Sequence, residues 1–214
     1  MGRHREAVVT SLRSMIVGGE LKPGEIFSEK EIAERFDVSR TPVREAVAIL
    51  VREDLLDQIP QVGVTVHVFS EEEIDDLLNT RHMIETHVTA RLADRPATSE
   101  DLEALADLME TMRAAATARD RLGFLEADAA FHAEIARRAG FALAAQLIGA
   151  LSDKIRVVGL DALHRDDGMD QVLAEHQAIL DAIATHDSVG ASKAMDAHLQ
   201  KTRNRLEQSR LKRN

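Results

Sequence analysis

The chain has 214 residues, of which 44% are hydrophobic and 30% charged, and its formal net charge is −10, a balance that is ordinary for a globular protein with a sizeable core. It contains no cysteine, so disulfides and thiolate chemistry are excluded and any metal must be held by histidine and carboxylate groups. The absence of tryptophan and tyrosine leaves aliphatic side chains and methionine to form most of the core, which favours helices packed closely on helices.

The N-terminus and the hydropathy pattern bear on location. Residues 1–13 lack the apolar core of a signal peptide. No run of about 18 apolar residues, the length that spans a bilayer, occurs in the sequence. We therefore expect a cytoplasmic protein with no membrane partner.

Charge is distributed unevenly along the chain. Residues 1–70 hold nine Lys and Arg against eleven Asp and Glu, a net −2. Residues 71–200 hold twelve against 25, a net −13, and residues 201–214 hold six against one, a net +5. The first segment can present a local basic face, whereas the acidic middle segment is unsuited to wrapping DNA.

Residues 1–70 are predicted to form a first domain that mixes helix and strand. Ser28 and Glu31 have the spacing of a capping box, which begins a short helix. A tight turn at Asp37-Val38 then leads into a second helix.

The second helix begins at Ser39 or Thr41, which are both favourable N-caps, and Pro42 lies in its first turn, where the missing N–H costs nothing. Its apolar stripe consists of Val43, Val47 and Leu50. Two short helices with this spacing and a tight turn between them form a helix-turn-helix. The alternative is a helical hairpin of no special function with charged residues on its surface.

The exposed start of the second helix is the end that enters the major groove of DNA in a helix-turn-helix. Arginine binds guanine or phosphate through its paired N–H groups, and hydroxyls and free helix N–H groups bind phosphate oxygens. A predicted β-hairpin follows and is typical of a wing, with a glycine at its turn or at a bulge. The predicted DNA-binding residues are Lys30, Ser39, Arg40, Thr41, Pro42, Arg44 and Gly63.

The segment GELKPGEIFSEKEIAERFDVSRTPVREAVAILVREDLL resembles the DNA-binding domain of GntR-family bacterial regulators, most clearly in Leu21 to Gly24, Ser28-Glu29 and Val38 to Ala46. The resemblance implies a winged helix-turn-helix that binds a short palindromic operator as a homodimer, with Arg40 and Arg44 as the leading contacts. The family usually has glycine directly before the leucine at the end of the last helix, and this chain has Asp54 there. Aspartate tolerates a left-handed backbone better than most side chains do.

Residues 71–210 are predicted to form a second domain made only of helices, an antiparallel bundle, so the fold class of the whole chain is mainly α. Ser70 to Glu73 is a capping box, and Gly140 suits the position after a helix. The predicted helices are 70–94, Thr98 or Ser99 onward, 120–138, 142–160, 168–185 and 188–208, with a break at Pro96 and a cap at Asp187-Ser188.

Three of these helices place metal-binding side chains beside apolar neighbours. Asp128 and His132 are four residues apart on one helix and share a face, while His176 and His198 lie on later helices. One aspartate and three histidines suit a first-row transition metal and leave coordination positions open. The alternative is that each histidine is a core residue with its own separate hydrogen bond.

The second domain resembles the FCD variety of FadR-type effector domains, through Asp128-Ala-Ala-Phe131-His132, Glu175-His176-Gln-Ala-Ile179 and Met195-Asp-Ala-His198-Leu199. The resemblance implies that this aspartate and these three histidines bind a divalent metal inside a helical bundle. It also implies that Arg81 binds the carboxylate of an effector, for which the alternative is a surface ion pair with Glu85. Phe141-Ala142 stands where the family commonly has Asn-Pro, at a place that could shape the pocket wall, so the identity of the effector stays open.

Together these features predict a sequence-specific regulator, in the first place a repressor, that binds double-stranded DNA under the control of a small carboxylic acid. The expected metal is zinc, with nickel, manganese and iron as alternatives. The sequence has no His-Glu-x-x-His motif, nucleophile elbow or glycine-rich phosphate loop, so an enzyme is the minor hypothesis. A regulator with a purely structural metal is the third, and a small acid would leave its DNA affinity unchanged. The basic end from Lys201 to Arg213 is expected to be a solvated, frayed tail, and the alternative is that it touches DNA.

Overall fold

A computed structural model describes residues 2–95, 97–159 and 168–211. The chain divides into two compact units, residues 1–70 and 71–214. Within the described ranges, no helix is both long enough and apolar enough to cross a membrane. The predicted break at Pro96 lies outside the described residues.

The described part of the first unit consists of helices and a small antiparallel sheet. In chain order its elements are α1 (Gly2–Val17), β1 (Ile26–Phe27), α2 (Glu29–Arg35), α3 (Arg40–Arg52), β2 (Leu56–Ile59) and β3 (Gly63–Val66). The strand order is β1-β3-β2, and both neighbouring pairs are antiparallel. β2 and β3 form the predicted hairpin, whereas β1 is a two-residue strand that the sequence pattern does not indicate.

Capping explains where α2 and α3 begin. The Glu31 backbone N–H donates to the Ser28 hydroxyl, and the Ser28 N–H donates to the Glu31 carboxylate, so the predicted capping box is confirmed. Ser39 occupies the N-cap position of α3, but its hydroxyl makes no capping hydrogen bond. The predicted apolar stripe of α3 is buried, and Ala46 is buried beside it.

Two aspartates and one glycine set the connections of the first unit. Asp37, with φ of 51°, forms the turn between α2 and α3, and Asp54, with φ of 55°, follows α3 in the left-handed conformation that glycine adopts more easily. Gly63 is required for a different reason. The Cβ atom of any other residue there would collide with the Phe27 carbonyl oxygen of β1, so a side chain at this position would separate the wing from β1.

The described part of the second unit is entirely helical. In chain order its elements are α4 (Glu71–Ala93), α5 (Ser99–Ala118), α6 (Arg121–Arg138), α7 (Ala142–Gly159), α8 (Gly168–Ala184) and α9 (Ser188–Leu211). Thr98 and Asp120 cap α5 and α6, and Gly140 has φ of 87° after α6, as predicted. The fold class is therefore the predicted one, a winged helix-turn-helix followed by an all-helical domain.

The packing of the second unit brings its polar groups to a common centre. α4 packs on α9, α6 packs on α5 and α7, and α8 packs on α9. The shared core is aliphatic, with Phe124 and Phe131 as its largest fully buried side chains. Because this core excludes water, any polar side chain inside it must find a partner within the protein or a ligand.

The basic C-terminal end is not the solvated tail that was expected. Up to Leu211 it is the end of α9. Arg203 lies 2.5 Å from Asp75 of α4, Arg205 lies 2.9 Å from both carboxylate oxygens of Glu175 of α8, and Leu206 is buried. These cations are paired with the acidic helices beside them, because the last turns of α9 pack on α4 and α8. Residues 212–214 lie outside the described part of the chain.

Candidate DNA-reading surface and metal centre

The first two turns of α3 carry two exposed arginines. The side chain of Arg40 is 64% exposed and that of Arg44 is 70% exposed. The carboxylate of Glu29, at the start of α2, lies 3.8 Å from Arg40 Nη2 and 3.4 Å from Arg44 Nε. Since one carboxylate faces two guanidinium groups, positive charge remains available here to an anionic partner.

The other predicted DNA-binding residues of α2 and α3 are accessible as well. Lys30 is 72% exposed and lies 3.6 Å from Glu34. Ser39 and Thr41 are exposed, and Pro42 is half-buried. Exposed ion pairs of this kind contribute at most about 1 kcal/mol, so phosphate oxygens can replace the carboxylates at little cost. Their role in binding DNA stays a prediction, and so does that of the half-buried wing glycine.

Four side chains from three helices converge in the second unit. Asp128 and His132 come from α6, His176 from α8 and His198 from α9, and one ligand atom of each lies within 4.8 Å of the others. His176 Nε2 lies 3.2 Å from both His132 Nε2 and Asp128 Oδ1. The three histidines are buried, and Asp128 is 19% exposed. This donor set fits a first-row transition metal.

Each of these histidines has an oxygen atom beside its Nδ1 atom. For His176 and His198 this oxygen is a hydrogen-bond partner, whereas the close contact of His132 lacks hydrogen-bond geometry. The Nδ1 contacts are those of His132 with Glu85 Oε2 (2.5 Å), His176 with the Val172 carbonyl oxygen (2.8 Å) and His198 with Glu175 Oε2 (2.9 Å). An Nδ1–H that donates to such an acceptor fixes the tautomer whose Nε2 atom carries a lone pair. The alternative of unrelated core histidines does not explain why two rings are oriented by such hydrogen bonds and why all three meet at one point.

Burial and charge keep His176, His198 and Asp128 in the protonation states that bind metals. Burial, reinforced by the His198 ring, lowers the pKa of His176 to about 3, and burial also lowers the pKa of His198. Burial by itself would raise the pKa of the Asp128 carboxyl, but the neighbouring histidines and Arg81 outweigh it and hold that pKa below its usual value. At neutral pH the two imidazoles are neutral and the carboxyl is ionised, as metal binding requires.

Arg81 on α4 is connected to this cluster through Glu85. Its Nε lies 2.5 Å from Glu85 Oε1, and the other oxygen of the same carboxylate contacts His132. Both members of the ion pair are buried, with 3% and 1% of their side chains exposed, so the expected alternative of a surface pair is wrong. Arg81 also lines a cavity that Asp128 and His198 line, which is where a role in effector binding requires it.

This cavity has a volume of about 60 Å³ and lies between helices of the second unit. Phe141 and Ala142 are not among the residues that line it, so the expected influence of that pair on the pocket wall is not seen. Phe141 instead packs edge-on against His87, with their ring centres 5.8 Å apart. The lining residues are Arg81, Phe124, Leu125, Asp128, Ala129, Ser152, Ile155, Arg156, Val172, His198, Thr202, Arg205 and Leu206.

Two residues behind the cluster were missed by sequence reasoning. Glu175 is 8% exposed and accepts hydrogen bonds from His198 and from both Nη groups of Arg205. Burial alone would raise the pKa of Glu175, but Arg205 and His198 lower it to about 2, so it is a permanent anion. The only signals in the sequence are that Glu175 directly precedes a predicted ligand and that Arg205 follows His198 by seven residues on the same helix.

Comparisons with known proteins agree on one kind of protein. Residues 4–66 match the family described as bacterial regulatory proteins, gntR family, and residues 76–201 match the FCD domain. The gluconate operon transcriptional repressor of Bacillus licheniformis is 28% identical over 84% of this chain and 75% of its own length. The HTH-type transcriptional repressor RspR of Escherichia coli is 31% identical over 93% and 87%. The solved structure of Escherichia coli McbR/YncC has a TM-score of 0.84 and 25% identity and covers 96% of this chain and 97% of that one.

Proposed function

Since the chain belongs to the GntR family of bacterial transcription regulators, with an FCD domain after its DNA-binding domain, we propose that it is a repressor whose operator affinity is set by a small organic acid. Relatives that align over most of its length are transcriptional repressors. The observation that carries the proposal is the buried cluster of Asp128 and three histidines beside a cavity that Arg81 also lines.

The donor set supports a metal-assisted form of acid recognition. A divalent transition metal, zinc in the first place and nickel, manganese or iron as alternatives, would be held by Asp128, His132, His176 and His198 and would supply open coordination positions for a carboxylate oxygen. The Val172 carbonyl oxygen orients the His176 ring and Glu175 orients the His198 ring, while the Glu85 carboxylate lies against His132 Nδ1, so the protein prepares the site before any ligand arrives.

Arg81 supports the choice of an acid as the ligand. Glu85 accepts hydrogen bonds from its Nε and Nη2 atoms, at 2.5 and 3.3 Å, which orients the planar guanidinium. The remaining N–H groups form the kind of fork that recognises a carboxylate. The name of the relative from Bacillus licheniformis refers to an operon for gluconate, which is itself an organic acid.

The exposed face of α2 and α3 is the proposed DNA-reading surface. Arg40 and Arg44 would contact guanine edges or phosphates, because they lie at the end of the recognition helix that enters the major groove. A homodimer would place two such helices about 34 Å apart, one turn of DNA, on a palindromic operator. The supporting contacts to the DNA backbone are assigned to Lys30, Ser39, Thr41, Pro42 and, in the wing, Gly63.

The acid can change operator affinity only by its preference between the DNA-binding and the non-binding form of the dimer. We expect the acid to favour the form with low operator affinity, so that repression is relieved when the acid accumulates. A coupling of about 1–3 kcal/mol, a change of roughly 5- to 150-fold in operator affinity, is typical for such a switch.

The test is elemental analysis of the purified protein and of a His132→Ala/His198→Ala variant, followed by DNA-shift assays with small carboxylic acids. We expect about one transition metal per chain in the native protein and none in the variant. At least one acid should then weaken operator binding by the native protein while leaving the variant unaffected.

Two outcomes would contradict the proposal in different ways. If no metal binds even after divalent ions are added back, the histidines are core residues and the account of sensing fails. If the metal is present but no acid changes operator affinity, the metal has a purely structural role. Neither outcome would change the conclusion that the chain belongs to the GntR family and has its DNA-binding domain.

A further inference from the structure

α7 contributes two polar side chains to the wall of the cavity, and neither belongs to the proposed metal site. Ser152 and Arg156 lie one turn apart on α7, and both line the cavity. The four metal-binding side chains come from α6, α8 and α9, and Arg81 comes from α4. A role for this pair must therefore be sought in the cavity itself.

Both residues have buried polar atoms without a protein partner among the described residues. Ser152 is 3% exposed, and its Oγ atom has no hydrogen-bond partner. The Arg156 side chain is 12% exposed, and its Nε–H has no partner, while its Nη groups lie 3.4 Å from Glu126 and 3.5 Å from Asp153. Buried polar groups are almost always hydrogen-bonded. Since both residues line one cavity, a ligand bound there can supply the acceptor.

The charges around the cavity indicate what kind of ligand this is. The guanidinium of Arg81 is neutralised by Glu85, and that of Arg205 is held by both oxygens of Glu175. The Nη groups of Arg156 lie 3.4 and 3.5 Å from Glu126 and Asp153, which do not line the cavity. Its Nε–H has no partner and lies one helical turn from a hydroxyl donor, and two such donors suit the two oxygens of a carboxylate.

We propose that Ser152 and Arg156 form a second carboxylate subsite, and that the effector is therefore a small dicarboxylate. The inference rests on the proposed function, in which the first carboxylate lies near Asp128, His198 and Arg81. The second carboxylate accepts hydrogen bonds from the Ser152 hydroxyl and the Arg156 Nε–H. The lining also offers apolar side chains that suit the methylene groups between two carboxylates, namely Phe124, Leu125, Ile155, Val172 and Leu206.

The experiment measures binding to the metal-loaded, full-length protein by titration calorimetry. The probes are three dicarboxylates, succinate, glutarate and adipate, each compared with the monocarboxylate of equal chain length, butyrate, valerate and hexanoate. The proteins are the native chain, Ser152→Ala, Arg156→Gln and Arg113→Gln, the last an exposed arginine of α5 that controls for the loss of one positive charge. Metal content and circular dichroism establish that each variant is folded and loaded.

We expect one dicarboxylate to bind the native protein about ten- to a hundredfold more tightly than its monocarboxylate partner, the range of a charge-assisted hydrogen bond. Arg156→Gln and Ser152→Ala should each reduce this ratio, and Arg113→Gln should leave it unchanged. Ser152→Ala is the sharper variant, because it removes a donor without changing the charge.

Different failures separate this inference from the proposed function. If a monocarboxylate binds as tightly as its dicarboxylate partner and still weakens operator binding, the second subsite is overturned and the proposed function stands. If the dicarboxylate preference survives in both α7 variants, the subsite is also overturned. If none of the six acids binds the loaded protein or alters operator binding, both this inference and the control by small linear acids fail together.

Discussion

The proposed DNA-reading surface and the proposed metal centre place charged side chains in opposite surroundings. Arg40 and Arg44 are 64% and 70% exposed and share a single carboxylate at 3.4 to 3.8 Å. In the proposed metal centre the three histidines are buried, and each has its own oxygen atom beside Nδ1. A surface that exchanges water for DNA phosphates needs loosely held cations, whereas a dry site must be organised in advance because unpaired groups are costly there.

These different surroundings predict whether a substitution changes ligand binding alone or folding as well. In the reading surface a side chain can be removed without leaving a buried group unpaired, so binding changes and folding does not. In the metal centre the ligand, its outer acceptor and the next cation form one connected set, so a change at one member is felt by the others. Four experiments test this difference between the two regions, from the largest expected effect to the smallest.

Removal of the metal has the largest expected effect. A strong chelator should lower the free energy of unfolding of the second unit by about 4 kcal/mol, the value for a ligand present at a thousandfold its dissociation constant. Scanning calorimetry with and without chelator measures the change. The His132→Ala/His198→Ala variant is the control and should show no further loss. An equal loss in the isolated transition of the first unit would contradict the contrast.

Arg44→Ala should weaken operator binding by about 1–3 kcal/mol, because it removes a contact from the base-reading end of α3. DNA-shift titrations at fixed salt measure this effect. Arg52→Ala, an exposed arginine at the other end of the same helix, is the matched control and should cost less. Metal content should be native in both variants, and its loss in Arg44→Ala would show that the two regions are not independent.

Glu175→Gln should weaken metal binding about 10- to 100-fold, or about 1.4–2.8 kcal/mol, because it removes the anion that holds His198 and Arg205. Competition with a chromophoric chelator measures the affinity. Glu207→Gln, an exposed carboxylate of α9, should have no effect. A Glu175→Gln protein with native metal affinity would mean that packing alone positions the His198 ring.

Glu29→Gln has the smallest expected effect and the most informative sign. If Glu29 merely competes with DNA for Arg40 and Arg44, its neutralisation should strengthen operator binding by no more than about 1 kcal/mol. The gain should fade in DNA-shift assays as salt is raised. Weaker binding would instead show that Glu29 positions the two arginines, and the reading surface would then resemble the metal centre in its organisation.

Local patterns in the sequence predicted a large part of both regions. The Ser28 capping box and the buried stripe of α3 are present in the structure. The helix predicted over 120–138 is present as α6, and the left-handed Gly140 lies where it was predicted. The capping box, the helix bounds and the spacing of the stripe depend on residues at most four positions apart, and such local geometry is the same in any protein.

What was missed depends on residues far apart in the chain. β1 pairs Ile26 with Thr65, and nothing in two residues predicts such a partner. The solvated tail was expected because Arg203 and Arg205 read as surface charges, yet they pair with carboxylates on α4 and α8. A count of charges along the sequence does not show which acidic residues of other helices pack beside these arginines.

The absence of cysteine meant that any metal ligands had to be histidine and carboxylate groups. The helical spacing then indicated four candidates on the faces of three helices. Only the tertiary structure decided that these four meet, that Glu85 and Glu175 stand behind two of the rings, and that the polar pair on α7 faces the same cavity. The physical reason is that helix formation is governed by neighbours within one turn, whereas the meeting of side chains depends on how whole helices cross.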